Sequence, residues 1–166
     1  MRNRAKFAMD QWSREKPNLP TLPMELIGQL AEAAQLITHK HLNPLYAEHG
    51  LQIGEFDVLS TLRRNGAPYA LTPTALYDAA MISSGGMTNR IDRLEKAGFV
   101  ERRSNPEDRR GTLVTLTPKG LELIDTLMEL HVENEQGILK HLTESEQMKL
   151  SELLAKLIDG LPPSRL

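Results

Sequence analysis

LTPTALYDAAMISSGGMTNRIDRLEKAGFVERR (residues 71–103) and NPEDRRGTLVTLTPKG (residues 105–120) together read as two short helices followed by a two-stranded hairpin. Thr72 can cap the free backbone N–H groups of the first helix, and Pro73 falls at its first position, where a missing N–H costs nothing. Ala75, Leu76, Ala79 and Ala80 give that helix an apolar stripe. The turn Met81-Ile82 then leads to Ser83 as a second cap, and the second helix is expected to run to about Ala97.

In the second helix Met87, Ile91 and Leu94 fall at i, i+4 and i+7, which makes one inward stripe. The opposite side then carries Gly85, Asn89, Arg93 and Lys96, flanked by Gly86, Thr88 and Asp92. That face is small, polar and rich in hydrogen-bonding groups. Its start, Ser84-Gly85-Gly86, has almost no side-chain bulk, so it could approach a phosphate backbone and offer free N–H groups and the positive end of the helix dipole.

Gly98 stands where a helix end needs a left-handed residue. Phe99 to Arg103 and Thr112 to Leu116 alternate β-favouring and polar residues, with a charged tip at residues 104–111 between them. A helix-turn-helix followed by such a hairpin is a winged helix, whose second helix enters the major groove of DNA while the tip reaches an adjacent minor groove. The expected DNA-facing set is Thr72, Ser83, Ser84, Gly85, Gly86, Thr88, Asn89, Arg93 and Lys96 on the helices, and Asp108, Arg109 and Arg110 on the wing. Arg109 and Arg110 suit a narrow, electronegative minor groove, and Asp108 can hold the Arg110 guanidinium by a charge-assisted pair.

These two segments resemble the DNA-binding core of the MarR family of bacterial transcription regulators. The D-x-R of the wing (Asp108, Arg110) and the L-T-x-x-G that closes it (Leu116, Thr117, Gly120) are the most specific pieces. With the preceding GLQIGEFDVLSTLRR, residues 50–64, the likeness extends from about Leu22 to Gly160. The resemblance implies a homodimer formed by the terminal helices, and it favours Arg110 as the residue inserted into the minor groove.

A net charge of −2 and a pI near 6.2 argue at first against a nucleic-acid partner, yet the charge is unevenly placed. From Thr61 to Gly120 there are ten Lys/Arg against six Asp/Glu, net +4, which leaves ten against sixteen, net −6, elsewhere. A basic block in acidic surroundings permits local phosphate contact and limits indiscriminate binding. The chain has no cysteine, hence no disulfide framework. No apolar run approaches membrane-spanning length, and MRNRAKFAMDQW lacks a long apolar segment, so a cytoplasmic protein with no membrane partner is expected.

Outward from the core, Arg2 to Lys16 can form a short helix bearing Phe7 and Trp12, and Pro17, Pro20 and Pro23 then stiffen a link. Leu26, Leu30, Ala33, Ile37 and Leu45 follow at near-helical spacing in a helix that Asn43-Pro44 should bend or break. A helix from about Gly54 to Asn65 turns Phe56, Leu59 and Leu62 inward. Thr117-Pro118 starts a helix of about 25 residues with Leu121, Ile124, Met128, Val132 and Ile138 on one side. Thr143-Glu144-Ser145-Glu146 is a capping box for a last helix presenting Leu150, Leu153, Leu154, Leu157 and Ile158.

The expected architecture is thus mainly α with a small β-hairpin wing: a winged helix-turn-helix core plus N- and C-terminal dimerisation helices. Its parts are an N-terminal extension and linker (1–20), a helical dimerisation region (21–50 and 118–166) and the DNA-binding domain (51–117). A two-fold dimer would place two reading helices about 34–36 Å apart and demand a pseudo-palindromic operator.

Trp12, Asp57 and Arg90 are similar to the matching residues of the urate-responsive branch of the family, the PecS-like and HucR-like repressors. The resemblance implies that the three hold a small effector, urate or another aromatic or phenolic anion. Arginine can pair with a planar anion, tryptophan can stack on it, and a carboxylate can accept its N–H groups. Taken singly, each has a plainer reading: Trp12 as a packing anchor, Asp57 as a helix-surface charge, and Arg90 with Asp57 as an ion pair.

Catalytic chemistry finds little support, and no cofactor is expected. The five histidines lack zinc-ligand spacing, Ser-Ser-Gly-Gly lacks the Gly-Lys-Ser/Thr ending of a phosphate loop, and there is no G-x-S-x-G elbow. The competing class is a winged-helix adaptor or antirepressor that contacts protein and not DNA. An acidic or apolar reading face would mark it, against which Asn89, Arg93, Lys96, Arg109 and Arg110 speak.

Overall fold

The computed structural model describes residues 4–81, 86–106, 108 and 111–162, which fall into two units, Met1–Leu45 and Tyr46–Leu166. In the first unit α1 (Arg4–Glu15) packs on α2 (Leu22–Ile37). The approach is close because Gly28 faces Ala5, whose Cβ would stand 2.9 Å from a Cβ added at Gly28. Met9 is the buried residue of α1, whereas Phe7 and Trp12, its large apolar groups, are 53% and 41% exposed.

The anticipated break at Asn43-Pro44 takes another form. A π-helical turn, Thr38–Leu42, joins α2 to α3 (Asn43–Glu48), and Asn43 N donates to Thr38 O. A proline inside a helix has no N–H and its ring presses on the carbonyl four residues back. One widened turn ahead of Pro44 accommodates both defects while the chain stays helical.

In the second unit α4 (Ile53–Arg64) is the central strut, packed on both the reading helix α6 (Met87–Lys96) and the long α7 (Pro118–Leu139). Phe56, Val58, Leu59 and Leu62 are buried along it, as their spacing requires. Leu76 of α5 (Pro73–Ala79), Met87, Ile91 and Leu94 of α6, and Ile124 and Leu127 of α7 complete this core. Of the stripe expected on α7, Ile124 is buried while Val132 is 45% exposed, and Leu127, outside that stripe, is buried as well. On α5, Leu76 alone is buried and Ala79 faces outward.

Tyr46 is sunk among these helices, its ring stacked on Phe56 at 4.3 Å between centroids. Its hydroxyl lies 3.1 Å from His131 Nδ1, and His131 Nε2 lies 3.2 Å from Glu135. Burial, aided by the Glu135 and Asp57 carboxylates, pushes the Tyr46 hydroxyl far above the ordinary phenol range.

The expected two-stranded wing is part of a three-stranded antiparallel sheet in the order β1-β3-β2, formed by β1 (Ala70–Leu71), β2 (Val100–Ser104) and β3 (Thr112–Leu116). Val100 pairs with Leu116 and Ser104 with Thr112, while Leu71 pairs with Val114. The third strand roots the wing in the helical core, because β1 leads directly to the Thr72 cap of α5. The C-terminal helix α8 (Glu144–Asp159) carries the predicted capping box: Thr143 N and Oγ1 donate to Glu146 Oε2 at 2.7 and 2.8 Å. Among the described residues no helix is long and apolar enough to cross a membrane.

Candidate nucleic-acid interface

Thr72 Oγ1 accepts from Ala75 N at 3.1 Å and starts α5 as its sequence dictates. The helix ends at Ala80, which is extended, and Arg64 of α4 donates to the Ala79 carbonyl left open there. The start of α6 differs from expectation. Ser83, Ser84 and Gly85, expected as cap and first turn, lie outside the described residues, and the helix begins at Met87 with Gly86 as its N-cap. Gly86 has φ +86°, a left-handed conformation that a glycine adopts without strain, so it closes the approach to the helix and does not form its first turn.

From Met87 onward α6 divides as its period requires. Met87, Ile91 and Leu94 are 8%, 2% and 1% exposed, and Thr88, Asn89, Arg93 and Lys96 face solvent. Between α5 and α6 lies an open cleft of about 420 Å³ whose wall includes Thr74, Tyr77, Thr88 and Asn89. Tyr77, 42% exposed on the reading side, was not singled out from the sequence; a tyrosine off the apolar stripe of a short helix was the available signal.

Much of the basic charge in this region is held by acids of the protein itself. Arg93 Nε stands 2.7 Å from Oε1 of Glu55, a carboxylate on α4 that is 2% exposed. Arg102 of β2 reaches back to α6, where it pairs with Asp92 at 2.5 Å and with Glu95, whose Oε1 also accepts from Arg102 N at 3.0 Å. Arg103 pairs with Glu101, and Arg63 with Asp125 at 2.5 Å. Carboxylates beside Arg63 and Arg102 raise both guanidinium groups above their ordinary value, the Asp125 and Asp92 hydrogen bonds being the largest cause in each case. The Arg102 bridges fasten the wing to the reading helix, a link that no local pattern shows.

The wing begins as expected, with Gly98 left-handed at φ +77°. Thr117 Oγ1 donates to Gly98 O at 2.7 Å and accepts from Gly120 N at 3.0 Å, joining the end of α6 to the start of α7. At the tip, Asp108 O accepts from Gly111 N at 2.8 Å, and the Asp108 side chain is exposed. Arg109 and Arg110 lie outside the described residues.

Of the three expected effector residues, Asp57 and Arg90 belong to the second unit and Trp12 to the first. Asp57 is 6% exposed, which corrects its reading as a surface charge, and its Oδ1 accepts from Met81 N at 3.3 Å. Arg90 lies across Gly54, with Nε 2.4 Å from where a Cβ on Gly54 would be. Gly54 and Asp57 are one turn apart on α4, so Arg90 is laid on the turn that leads to Asp57.

A short helix pair, its second helix polar on the outer side and flanked by a strand hairpin, defines a winged helix-turn-helix protein. The MarR family model matches residues 49–111. The regulator PecS of Dickeya dadantii is 41% identical over 157 residues, which cover 95% of this chain and 94% of PecS. The chain belongs to the MarR family of transcriptional regulators. Its fold is shared with a mutant of MarR from E. coli solved in complex with operator DNA, at TM-score 0.69 and 28% identity over 91% of this chain and 98% of that one. It is likewise similar to Bordetella bronchiseptica BpsR, from a structure on regulation of its DNA binding by 6-hydroxynicotinic acid, at TM-score 0.69 and 26% identity over 80% and 91% of the two chains. These relatives are regulators and not enzymes.

Proposed function

We propose that the protein is a dimeric, ligand-responsive transcriptional repressor that binds a pseudo-palindromic operator in double-stranded DNA and is released by urate or another small aromatic or phenolic anion. The division of α6 into a buried Met87-Ile91-Leu94 stripe and an exposed Thr88, Asn89, Arg93 and Lys96 face carries the DNA reading. Asn89 suits the paired donor and acceptor of an adenine edge, Arg93 a guanine edge or phosphate, and Lys96 a phosphate. Thr72, Ser83, Ser84, Gly85 and Gly86 bring the helix starts up to the backbone. Asp108, Arg109 and Arg110 form the minor-groove arm. Support comes from the DNA complex of a MarR relative with the same fold.

The effector is proposed to be held by Trp12, Asp57 and Arg90. Its structural support lies within the second unit, where Arg90 rests on the α4 turn before buried Asp57 and so links scaffold and reading helix. Binding there would favour a dimer whose reading helices no longer match the groove spacing, with a coupling of about 1–3 kcal/mol. The test is selection of bound sequences from random duplex DNA with and without urate, with fluorescence of the single tryptophan followed in parallel. The reading expects enrichment of an inverted repeat, salt-dependent binding, and loss of binding together with quenching when urate is added. Indifference to every duplex at low salt would leave the adaptor class instead.

A further inference from the structure

Glu55 is a buried carboxylate in the first turn of α4 that the reading helix reaches across to meet. It is 2% exposed, and its two oxygens are used differently. Oε2 accepts from Gln52 N at 2.7 Å as the capping-box residue of α4. Oε1 is buried without a hydrogen bond and stands 2.7 Å from Arg93 Nε as an ion pair. The charge already suits the first turn of α4, where the helix dipole favours a carboxylate, and its position opposite α6 gives it a second purpose.

Arg93 supplies that purpose. Its side chain remains 56% exposed while one edge of the guanidinium is held beside the Glu55 carboxylate by charge, so its motion is restricted on the α4 side and its outer donors stay available. An unrestrained arginine loses rotamer freedom when it docks on a base or phosphate, and a restrained one has lost it already.

We infer that Glu55 is a positioning residue for DNA recognition: by its ion pair it restrains Arg93, so that the reading face of α6 meets the duplex with that guanidinium already confined near its docking position. The inference rests on the DNA-binding reading above. Glu55 touches no DNA and acts through Arg93 alone.

The experiment is a cycle of the full-length wild type, Glu55→Gln, Arg93→Ala and the double variant, each titrated with the selected operator and with a scrambled duplex of equal length. Glu55→Gln retains the cap and the volume and removes the charge. Operator affinity is expected to fall about five- to tenfold in Glu55→Gln, with affinity for the scrambled duplex changed less than about twofold. In the Arg93→Ala background the same substitution should change operator affinity less than about twofold, since the two sites form one unit. Glu55→Asp, which keeps the charge but withdraws it by one methylene, should fall between, and it replaces Glu55→Gln should the latter melt below assay temperature. The positioning role is overturned if Glu55→Gln weakens binding equally with and without Arg93, if it leaves affinity unchanged, or if it tightens binding because DNA must pull Arg93 away from Glu55. It is overturned too if Arg93→Ala binds the operator like wild type. In all these cases the DNA-binding reading stands; a wild type that binds no duplex removes both.

Discussion

Two helical glycines with filled surroundings, Gly54 and Gly120, oppose a side chain in different ways. A Cβ on Gly120 would lie 1.9 Å from Phe99 O and 2.8 Å from Phe99 C, which are backbone atoms at the junction of α6 and β2 and cannot turn aside. Gly120→Ala is therefore expected to destabilise the fold by about 1–3 kcal/mol through overpacking, seen as a lowered Tm or denaturation midpoint. A Cβ on Gly54 would instead meet Nε, Cζ and Cδ of Arg90, a side chain that can swing away. In Gly54→Ala the helix gains less than the ~1 kcal/mol of an interior position, since Gly54 is in its first turn, so Tm should change little while Arg90 is displaced. The expected phenotype is retained operator binding with urate no longer able to release the DNA; a variant still released at wild-type urate concentration would take Arg90 out of the effector site. Neither reason is visible from sequence. Gly120 reads as part of a motif, but the carbonyl it accommodates and the arginine that Gly54 accommodates come from other elements.

At the scale of elements, features set by neighbours in the chain were legible: the Thr72 and Thr143 caps, the α6 stripe, the αL glycine at Gly98 and the β3 strand all follow from local chemistry. The misses have a tertiary or length-based cause. β1 spans two residues, too few to show a period, and exists because β3 offers it a partner. The Arg93–Glu55 pair and the Arg102 bridges join residues that fold topology alone brings together. The α8 cap allows a prediction about pH. Glu146 accepts from Thr143 N and Oγ1, and these bonds, the backbone one first, hold its carboxyl below the ordinary value of 4.5. A depressed folded pKa means that the stabilisation is fully present above 4.5 and is lost as pH falls through the depressed value. Melting of wild type and Glu146→Gln should therefore differ near about pH 7 and converge near about pH 3. A difference that persists unchanged in acid would show that the Glu146 charge does not stabilise the cap.

At the scale of the whole molecule, the apolar surface left uncovered on the terminal helices is larger than scattered exposure accounts for. On α8, Leu150, Leu153, Leu157 and Ile158 are 40–64% exposed and repeat at helical spacing; on α2, Leu22, Leu26 and Ile27 are 51–64% exposed. Each such side chain contributes about 1.5–3 kcal/mol when fully buried, so a few of them per protomer can hold a dimer together. In the proposed repressor that dimer also sets affinity, because two reading helices tethered to consecutive major grooves bind at an effective concentration that neither has alone. Leu153→Glu combined with Ile158→Glu places two charges on this face without touching the α4, α6 or α7 core. The expected result is a folded protein sedimenting as a monomer at micromolar concentration. Its operator affinity should be reduced about 10²–10⁴-fold, the scale of lost avidity, and the slope of log affinity against log salt roughly halved as one set of phosphate contacts disappears. A double variant that stays dimeric would move the interface away from α8. A true monomer that held its operator with wild-type affinity and salt slope would show that one α6 and one wing suffice, and the two-fold operator would no longer be required.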